Sequence, residues 1–191
     1  TEKEKISELE TIYPSLKLLR AGTISPHQLR DQILEHTLIQ FQHAEVSHLK
    51  KRSNQNSKIQ VVDINQQGLA EFDHVIVCAA MNSQKLSPQL PQLKANRGQV
   101  SWLNNANHPL KLDQAYSYGG YCMQLDQQHL ILGASFYPDR EDEEILFEDH
   151  EHNYALIHSV FPNYTQSLAA IETWQGRASV RTQSPDYFPL L

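Results

Sequence analysis

The second half of the chain contains short apolar runs of strand type, and this pattern restricts the fold more than any other feature of the sequence. Val100 and Trp102 alternate with polar neighbours. Two further strand-type stretches follow at residues 115–125 and 129–136. Only residues 126–128 separate them, a length typical of a β-hairpin. The sequence therefore predicts an antiparallel sheet in this half.

Two helices are predicted near the start of the chain. The first covers about residues 6–13 and stops at a proline, which cannot continue a helix. The second has Ser25 as its N-cap, Pro26 at the first helical position and Gln28 at the capping-box position. This second helix is expected to end near His36.

A longer helix is predicted after the antiparallel strands. The acidic residues 141–144 favour a helix N-terminus electrostatically, and Pro162 marks the end of the helix. Five residues at helical spacing form its apolar face, namely Phe147, His150, Tyr154, Ile157 and Phe161. A last strand is expected within residues 170–180.

The first half also contains strand-type segments, at residues 39–41 and 58–64. Gly68 is interpreted as a turn that leads to residues 75–77. These form a continuous apolar run, which fits a strand buried on both faces. Prolines at 88 and 91 then mark a connection between two layers.

The predicted fold class is α+β, with a mostly antiparallel mixed sheet flanked by helices. Residues 1–95 are expected to hold the helices and strands that border a second layer, and residues 96–191 the antiparallel sheet with one long helix. The length suits one or one and a half domains. Because the chain finishes on Pro-Leu-Leu without a polar tail, we expect it to be a fragment of a larger chain.

The formal net charge of −6 argues against a dedicated nucleic-acid-binding module, which would need a concentration of Lys and Arg. A local basic cluster, Lys50, Lys51 and Arg52 with Lys58, is interpreted as a solvated turn. No apolar run is long enough to span a bilayer. We therefore expect a soluble cytoplasmic protein.

Cysteine and histidine usage gives no metal or disulfide prediction. Cys78 and Cys122 have neither the number nor the spacing of a disulfide framework, so both are expected to be reduced core residues. The densest histidine group follows neither the HExxH nor the HxxEH spacing. We interpret this group as a helix surface, with the first of its members packed at the edge of the core. Its members are His150, Glu151, His152 and His158.

Arginines and tyrosines near strand ends are the remaining candidates for chemistry. Arg177 and Arg181 are four residues apart on a predicted strand, which puts both side chains on one face. An arginine at a strand end can hold a carboxylate through two parallel hydrogen bonds. Tyr121, with Tyr116 and Tyr118, supplies a phenol for such a site. A structural arginine and core tyrosines explain the same residues.

Several short motifs, taken in order, carry a resemblance to a known family. Two of them are Arg-Gly-Gln-Val at residues 97–100 and Gly-Tyr at residues 120–121. Together the motifs resemble the substrate domain of the D-amino-acid oxidase and glycine oxidase superfamily of FAD-dependent oxidoreductases. The other matching segments are residues 22–29, 75–83, 132–135 and 181–189.

Within this superfamily the chain is similar to the FAD-dependent half of bifunctional enzymes that modify the wobble uridine of tRNA. The resemblance implies oxidation of the C–N bond of a carboxymethylaminomethyl group on that uridine, which releases glyoxylate. It implies FAD as cofactor and tRNA as partner. It also implies contact with the rest of a longer chain, including an FAD-binding segment and a methyltransferase domain, with no metal and no membrane.

The resemblance also assigns residues. Arg181 matches the carboxylate-binding arginine of the superfamily, Tyr121 the tyrosine that assists it, and Arg177 a supporting arginine. No side chain is expected to act as a strong base, because the flavin accepts the hydride.

The expected contacts with the cofactor lie in the first half of the chain. Val46, Ala80 and Met81 match cofactor-facing positions of the superfamily. The superfamily has a glycine where this chain has Met81. A Gly-x-Gly-x-x-Gly loop, which would hold the pyrophosphate of FAD, does not occur among the seven glycines.

Two other functions remain open at the level of the sequence. A glycine- or sarcosine-type oxidase acting on a free amino acid would share the same arginine and tyrosine. A non-catalytic α+β binding module, in which the sheet presents a groove to a ligand, would explain why the glycine-rich loop is missing.

Overall fold

The computed structural model describes Leu9, residues 12–51 and residues 58–188. Most of the helix predicted at residues 6–13 and the whole loop at residues 53–57 lie outside these ranges. Within them, no helix combines the length and the apolar composition that a membrane crossing requires.

The chain forms two compact units. The large unit contains residues 1–23 and 96–180, and the small unit contains residues 24–95 and 181–191. The chain changes from the small unit to the large unit between residues 95 and 96. Leu9 and residues 12–23 group with the second half of the chain, and residues 181–188 group with the first half.

In the small unit, the capped helix predicted at Ser25 is present as α1, Pro26–Leu34. The Ser25 hydroxyl accepts a hydrogen bond from the backbone N–H of Gln28 at 3.4 Å, and Pro26 occupies the first turn. The helix ends two residues before the predicted end.

The strands of the small unit form one antiparallel sheet in the order β1, β2, β3, with ranges Val46–Lys51, Ile59–Asp63 and Gly68–Phe72. The prediction for β2 is confirmed. The strand predicted at residues 39–41 is wrong, because the chain there has no regular structure. Gly68 is the first residue of β3 rather than a turn. The basic cluster is also not a turn, since Lys50 and Lys51 lie in β1; Arg52 lies outside the described residues.

Residues 75–79 have no regular secondary structure and belong to no sheet in the described part of the chain. Ile76 is 89% exposed and Cys78 is also exposed. The prediction of a strand buried on both faces, with Cys78 in the core, is therefore wrong for this structure. A continuous apolar run predicts burial but does not identify the neighbouring strand, and the described residues supply none. A short 3-10 helix, Ala80–Asn82, and the helix α2, Ser83–Leu86, follow.

The large unit is built on a six-stranded sheet centred on β4, Lys94–Asn104. One edge of β4 pairs first with β7, His129–Gly133, and then with β8, Tyr137–Pro138, both antiparallel. The strands β6, Tyr121–Gln124, and β5, Tyr116–Ser117, extend the sheet beyond β7. The last strand, β9, Gln175–Gln183, also pairs with β4.

The predicted hairpin is confirmed. β6 and β7 are antiparallel neighbours, and the Asp126 carboxylate accepts hydrogen bonds from the backbone N–H groups of Gln128 and His129 at 2.7 and 2.8 Å. The strand predicted at residues 115–125 is instead two short strands. Gly119 separates them with a φ of +92°, a conformation that favours glycine.

The long helix is present as α3, Phe147–His158. The acidic residues in its first turn are Glu148 and Asp149 rather than residues 141–144, which precede the helix. Pro162 begins the short helix α4, Pro162–Thr165, since a proline is well tolerated in a first turn. Residues 171–173 form a 3-10 helix, so the last strand starts later than predicted.

The core of the large unit lies between α3 and one face of the six-stranded sheet. The alternation of β4 is clear, because Arg97, Gln99, Ser101 and Leu103 are all buried. The fully buried apolar residues of this core are Leu103, Cys122, Leu130, Leu132 and Ile157. The described residues before α1 contribute Leu9 to the same core.

Candidate functional site

The face of the six-stranded sheet that points away from α3 carries two of the predicted site residues. A Cβ atom added to Gly120 would lie 3.2 Å from a methyl group of Leu156 on α3, so position 120 faces the helix. Its neighbour Tyr121 therefore faces the other way. We call this second surface the site face. Its residues include Val100, Trp102, Tyr121, Met123, Ile131, Gly133, Gln175 and Arg177.

Tyr121 lies directly across the sheet from Gly133, to which it is paired in register. A Cβ atom at position 133 would come within 2.6 Å of Cζ and 2.7 Å of the hydroxyl of Tyr121. The phenol ring therefore covers the glycine, and only glycine permits this approach. The predicted Gly-Ala-Ser motif at residues 133–135 thus has a physical role, which is to make room for the ring.

Arg177 lies on the same face at the other side of β4. The indole N–H of Trp102 donates a hydrogen bond to the side-chain oxygen of Gln175 at 2.8 Å, which fixes Gln175 and the alternate residue Arg177 on the site face. Three strand spacings of ~4.8 Å separate β6 from β9, so the backbones of Tyr121 and Arg177 are about 14 Å apart. Both side chains are long enough to reach a ligand between them.

Arg181 is the fourth residue after Arg177 on β9 and belongs to the small unit. Its side chain is exposed, and among residues 12–51 and 58–188 it forms no hydrogen bond or ion pair. The same holds for Arg177. Within the described ranges neither guanidinium has a side-chain partner, which is what a carboxylate-binding role requires.

The three predicted cofactor-facing residues all belong to the small unit. Val46 is the first residue of β1, and Ala80 and Met81 lie in the 3-10 helix that leads into α2, which packs on β1. Ala80 has a φ of +49°, whereas Met81 has no such conformation. The position whose backbone favours glycine is therefore Ala80, one residue before the position expected from the resemblance.

The opposite face of β4 holds a charged network that the sequence did not predict. Arg97 is fully buried and lies 2.6 Å from the Asp149 carboxylate and 2.8 Å from the Asp142 carboxylate. It also donates to the backbone carbonyl of Glu144 and packs on the ring of Tyr137. Burial alone would lower the pKa of Arg97, but the two carboxylates outweigh burial and raise it.

Gln99 extends this network along β4. Its side chain donates to the carbonyl of Leu146 at 2.9 Å and accepts from the N–H of Leu146 at 2.8 Å. The segment before α3 is thus held against the sheet by Arg97 and Gln99 together. The Arg-Gly-Gln-Val motif at residues 97–100 was the sequence signal that could have indicated this network. The carboxylates that pair with Arg97 lie 45 and 52 residues further along the chain.

The other tyrosines of the predicted cluster belong to the core rather than to the site. Tyr116 and Tyr118 both meet the ring of Phe161 edge-on. Burial raises the pKa of Tyr118 far above its usual range and raises the pKa of Cys122 to about 12. Cys122 is therefore a buried, protonated thiol, as predicted.

The histidine group on α3 is not arranged around a metal. Nδ1 of His150 lies 2.7 Å from the hydroxyl of Ser101, while His158 contacts the hydroxyl of Thr165 at 2.7 Å. In the described ranges, no group of three or more His, Cys, Asp or Glu residues is placed to hold a metal ion. His150 is nearly buried, so its place at the edge of the core is confirmed.

The fold is that of amino-acid and glycerophosphate oxidases. The chain superposes on glycine oxidase from Geobacillus kaustophilus with a TM-score of 0.62 at 16% identity, covering 79% of this chain and 39% of that one. It superposes on FAD-bound L-α-glycerophosphate oxidase from Mycoplasma pneumoniae with a TM-score of 0.58 at 12% identity, covering 74% and 39% of the two chains.

The family follows from the sequence comparison. The family described as DAO, FAD dependent oxidoreductase, matches residues 6–191, and the chain belongs to it. The chain is similar to the tRNA 5-methylaminomethyl-2-thiouridine biosynthesis bifunctional protein MnmC of Acinetobacter baylyi, with 51% identity over 185 residues. This alignment covers 97% of the chain and 29% of the relative. The MnmC protein of Pseudomonas putida is 32% identical over 177 residues, which cover 89% of this chain and 26% of that protein. The chain thus spans less than a third of these curated relatives.

The described residues fit the ring portion of FAD better than its pyrophosphate. Apart from Gln175, Arg177 and the Tyr121 hydroxyl, the site face is largely apolar, and it is half-buried at Val100, Met123 and Ile131, which suits a planar ring system. The glycine-rich loop that binds a dinucleotide pyrophosphate is not part of this sequence.

Proposed function

We propose that this chain is the substrate-binding part of an FAD-dependent oxidoreductase that acts on tRNA. Its substrate is the carboxymethylaminomethyl group of a wobble uridine or 2-thiouridine, which it converts to an aminomethyl group with release of glyoxylate. The supporting observation is that the site face carries Tyr121 and an unpaired Arg177, with an unpaired Arg181 further along the same strand. The similarity to MnmC proteins supports the choice of substrate.

The reaction balances as a two-electron oxidation followed by hydrolysis. The carbon between the nitrogen and the carboxylate loses a hydride, the nitrogen loses a proton, and a C=N bond forms. Water then adds to this carbon, the C–N bond breaks, and glyoxylate leaves the aminomethyl uridine. FAD, when bound, supplies the acceptor for the hydride.

The residues of this chain bind and orient the substrate. Arg181 holds the carboxylate through two parallel charge-assisted hydrogen bonds. Tyr121, fixed over Gly133, donates its phenolic hydrogen to the same carboxylate, and Arg177 adds positive charge. Val46, Ala80 and Met81 of the small unit would hold the cofactor. No residue of the chain acts as a strong base, because the C–H bond is broken as a hydride transfer.

The partners of this reaction are tRNA and the rest of a longer chain. The relatives are described as bifunctional, and the matched part covers less than a third of them, so an FAD-binding segment and a methyltransferase domain are proposed as neighbours. This chain carries a net charge of −6, so most contacts with tRNA phosphates would come from outside it. The proposed compartment is the cytoplasm.

A product assay on the full-length gene product tests this function. The protein is incubated with tRNA bearing the carboxymethylaminomethyl group, and glyoxylate and the aminomethyl nucleoside are quantified by mass spectrometry. The proposal expects both products in equal amounts. If glyoxylate forms from free glycine or sarcosine and not from tRNA, the protein is an amino-acid oxidase instead. No product and no flavin absorbance would favour a non-catalytic binding module.

Substitution of Arg181 tests the assigned carboxylate contact. Because Arg181→Ala removes a charged hydrogen-bonding partner, it is expected to cost about 2–5 kcal/mol in kcat/KM, or at least roughly 30-fold. Arg181→Lys retains the charge without the paired hydrogen bonds and should lose less. Arg30→Ala is the control, since Arg30 is exposed on α1 and pairs there with the exposed Asp31. Unchanged turnover in Arg181→Ala would contradict the assignment.

A further inference from the structure

The two tryptophans of this chain have contrasting environments. Trp174 is buried, donates its indole N–H to the carbonyl of Ala169, and packs against the rings of His150 and Tyr154. Trp102 lies on the site face, is only half-buried, and has no aromatic partner in the described ranges. The first ring is therefore part of the core, whereas packing within the large unit does not explain the second.

A hydrogen bond to a residue of β9 fixes the orientation of the Trp102 ring. Its N–H donates to the side-chain oxygen of Gln175 at 2.8 Å, which ties the indole edge to the strand that carries Arg177. On the other side, Trp102 pairs in register with Ile131, and Ile131 pairs with Met123. A large flat ring is thus held on an apolar row of the site face.

The distance from Trp102 to Arg177, the arginine that adds positive charge beside the carboxylate, suits the proposed substrate. With Trp102 beside Gln175, one strand spacing and two residues along β9 place the backbone of Arg177 roughly 8 Å from that of Trp102. Four bonds connect the carboxylate carbon of the substrate to C5 of its uracil ring, which is about 5 Å in extended form. A carboxylate that lies within reach of the Arg177 guanidinium therefore leaves the uracil ring within reach of the indole.

We propose that Trp102 is a stacking platform for the uracil ring of the substrate and determines specificity for a base-bearing glycine over a free amino acid. This inference rests on the proposed function. Single-stranded RNA bases are commonly recognised by stacking on aromatic side chains, and a wobble base in an anticodon loop is accessible for such stacking. The carboxylate contacts alone would not distinguish the modified uridine from glycine or sarcosine. Trp102 supplies the missing discrimination.

The test compares Trp102→Leu with Trp102→Phe in the full-length, FAD-loaded protein. Leucine keeps an apolar side chain but no ring, whereas phenylalanine keeps a ring that can stack. The dissociation constant is measured for an anticodon stem-loop with the carboxymethylaminomethyl uridine, and the inhibition constant for sarcosine, which has no base. Trp102→Leu is expected to weaken stem-loop binding about 10- to 100-fold, and Trp102→Phe by less than half as much on a logarithmic scale. Sarcosine binding should be unchanged in both variants.

Trp174→Phe provides the matched control, since it removes an indole from the core instead of the site face. It should lower the melting temperature and leave stem-loop binding unchanged. Equal stem-loop binding by wild type and Trp102→Leu would overturn the inference. Loss of flavin, or equal weakening of sarcosine binding, would also overturn it, because Trp102 would then contact the cofactor or the carboxylate. If wild type forms no glyoxylate from tRNA, the proposed function fails, whatever the Trp102 variants show.

Discussion

The two faces of the six-stranded sheet place their arginines in opposite environments. On the face covered by α3, Arg97 is fully buried and bound by Asp142, Asp149 and a backbone carbonyl. On the site face, Arg177 is exposed and has no ion pair in the described ranges. Both residues lie on strands of one sheet. The fold therefore pairs the buried charge of Arg97, whereas within the described ranges it leaves the exposed charge of Arg177 unpaired on the face proposed for the ligand.

This difference has an energetic basis. Burying a charge costs several kcal/mol unless partners compensate for it, so Arg97 cannot lose its carboxylates without loss of stability. An exposed cation carries no such penalty and contributes little to folding. The site face can accordingly keep the exposed Arg177 without an ion pair while the other face supplies the stability of the sheet.

The largest expected difference between the two faces is in their contribution to stability. Arg97→Met leaves the Asp149 carboxylate buried without its partner, so the free energy of unfolding should fall by about 3–5 kcal/mol. The same substitution on the site face, Arg177→Met, should change it by less than about 0.5 kcal/mol. Urea unfolding of the full-length protein measures both. Equal losses in the two variants would refute the distinction between the faces.

A smaller effect is expected at Gly133. Alanine there would place Cβ 2.6 Å from the ring of Tyr121, so the ring must move. We expect a loss of about 1–3 kcal/mol in stability and a several-fold higher KM, because the phenol leaves its position on the site face. Gly22→Ala is the control, since no atom lies within 4 Å of its added Cβ. A normal KM in Gly133→Ala would show that the position of the ring does not matter.

The smallest expected effect is a pH dependence of stability, which comes from His150 on α3. Burial lowers the pKa of His150 from its ordinary value of 6.5, and the nearby Asp149 only partly opposes this. The unfolded chain therefore binds the proton more readily. The stability that neutral His150 provides is complete above about pH 6.5 and declines as the pH falls towards its lowered pKa.

Melting temperatures between pH 8 and pH 5 check this sign. The wild type should lose stability more steeply below pH 6.5 than His150→Gln, which can still hydrogen-bond to Ser101. His152→Gln, on the exposed side of α3, should follow the wild type. If the melting temperatures of wild type and His150→Gln change in parallel with pH, His150 is not the cause of the pH dependence.

Local signals in the sequence predicted the elements that depend on local chemistry. The N-cap of α1 at Ser25 and the hairpin at Asp126 both form through contacts within a few residues, and both were predicted. The strand at residues 39–41 was wrong, because alternation in a polar segment does not ensure a pairing partner. The buried strand at residues 75–77 was wrong for the same reason.

The placement of the candidate residues on the fold follows in part from the sequence. Arg177 and Tyr121 were identified from strand position and the family motif, and their common face follows from alternation along β6 and β9. The contacts of Arg97 join residues 45 and 52 positions apart, which no local pattern reveals. The left-handed conformation of Ala80 was also missed, because alanine rarely adopts it and the motif suggested the next residue.

The central claim is that the strand β9 presents an arginine to a glycine-like carboxylate on the site face. A crystal structure of the full-length protein with FAD and a non-oxidisable carboxylate, such as glycolate, tests it directly. We predict that both carboxylate oxygens lie within about 2.7–2.9 Å of the Arg181 guanidinium, and that the Tyr121 hydroxyl donates a further hydrogen bond to the carboxylate. A carboxylate bound elsewhere, with Arg181 paired to a protein side chain in the intact protein, would contradict it.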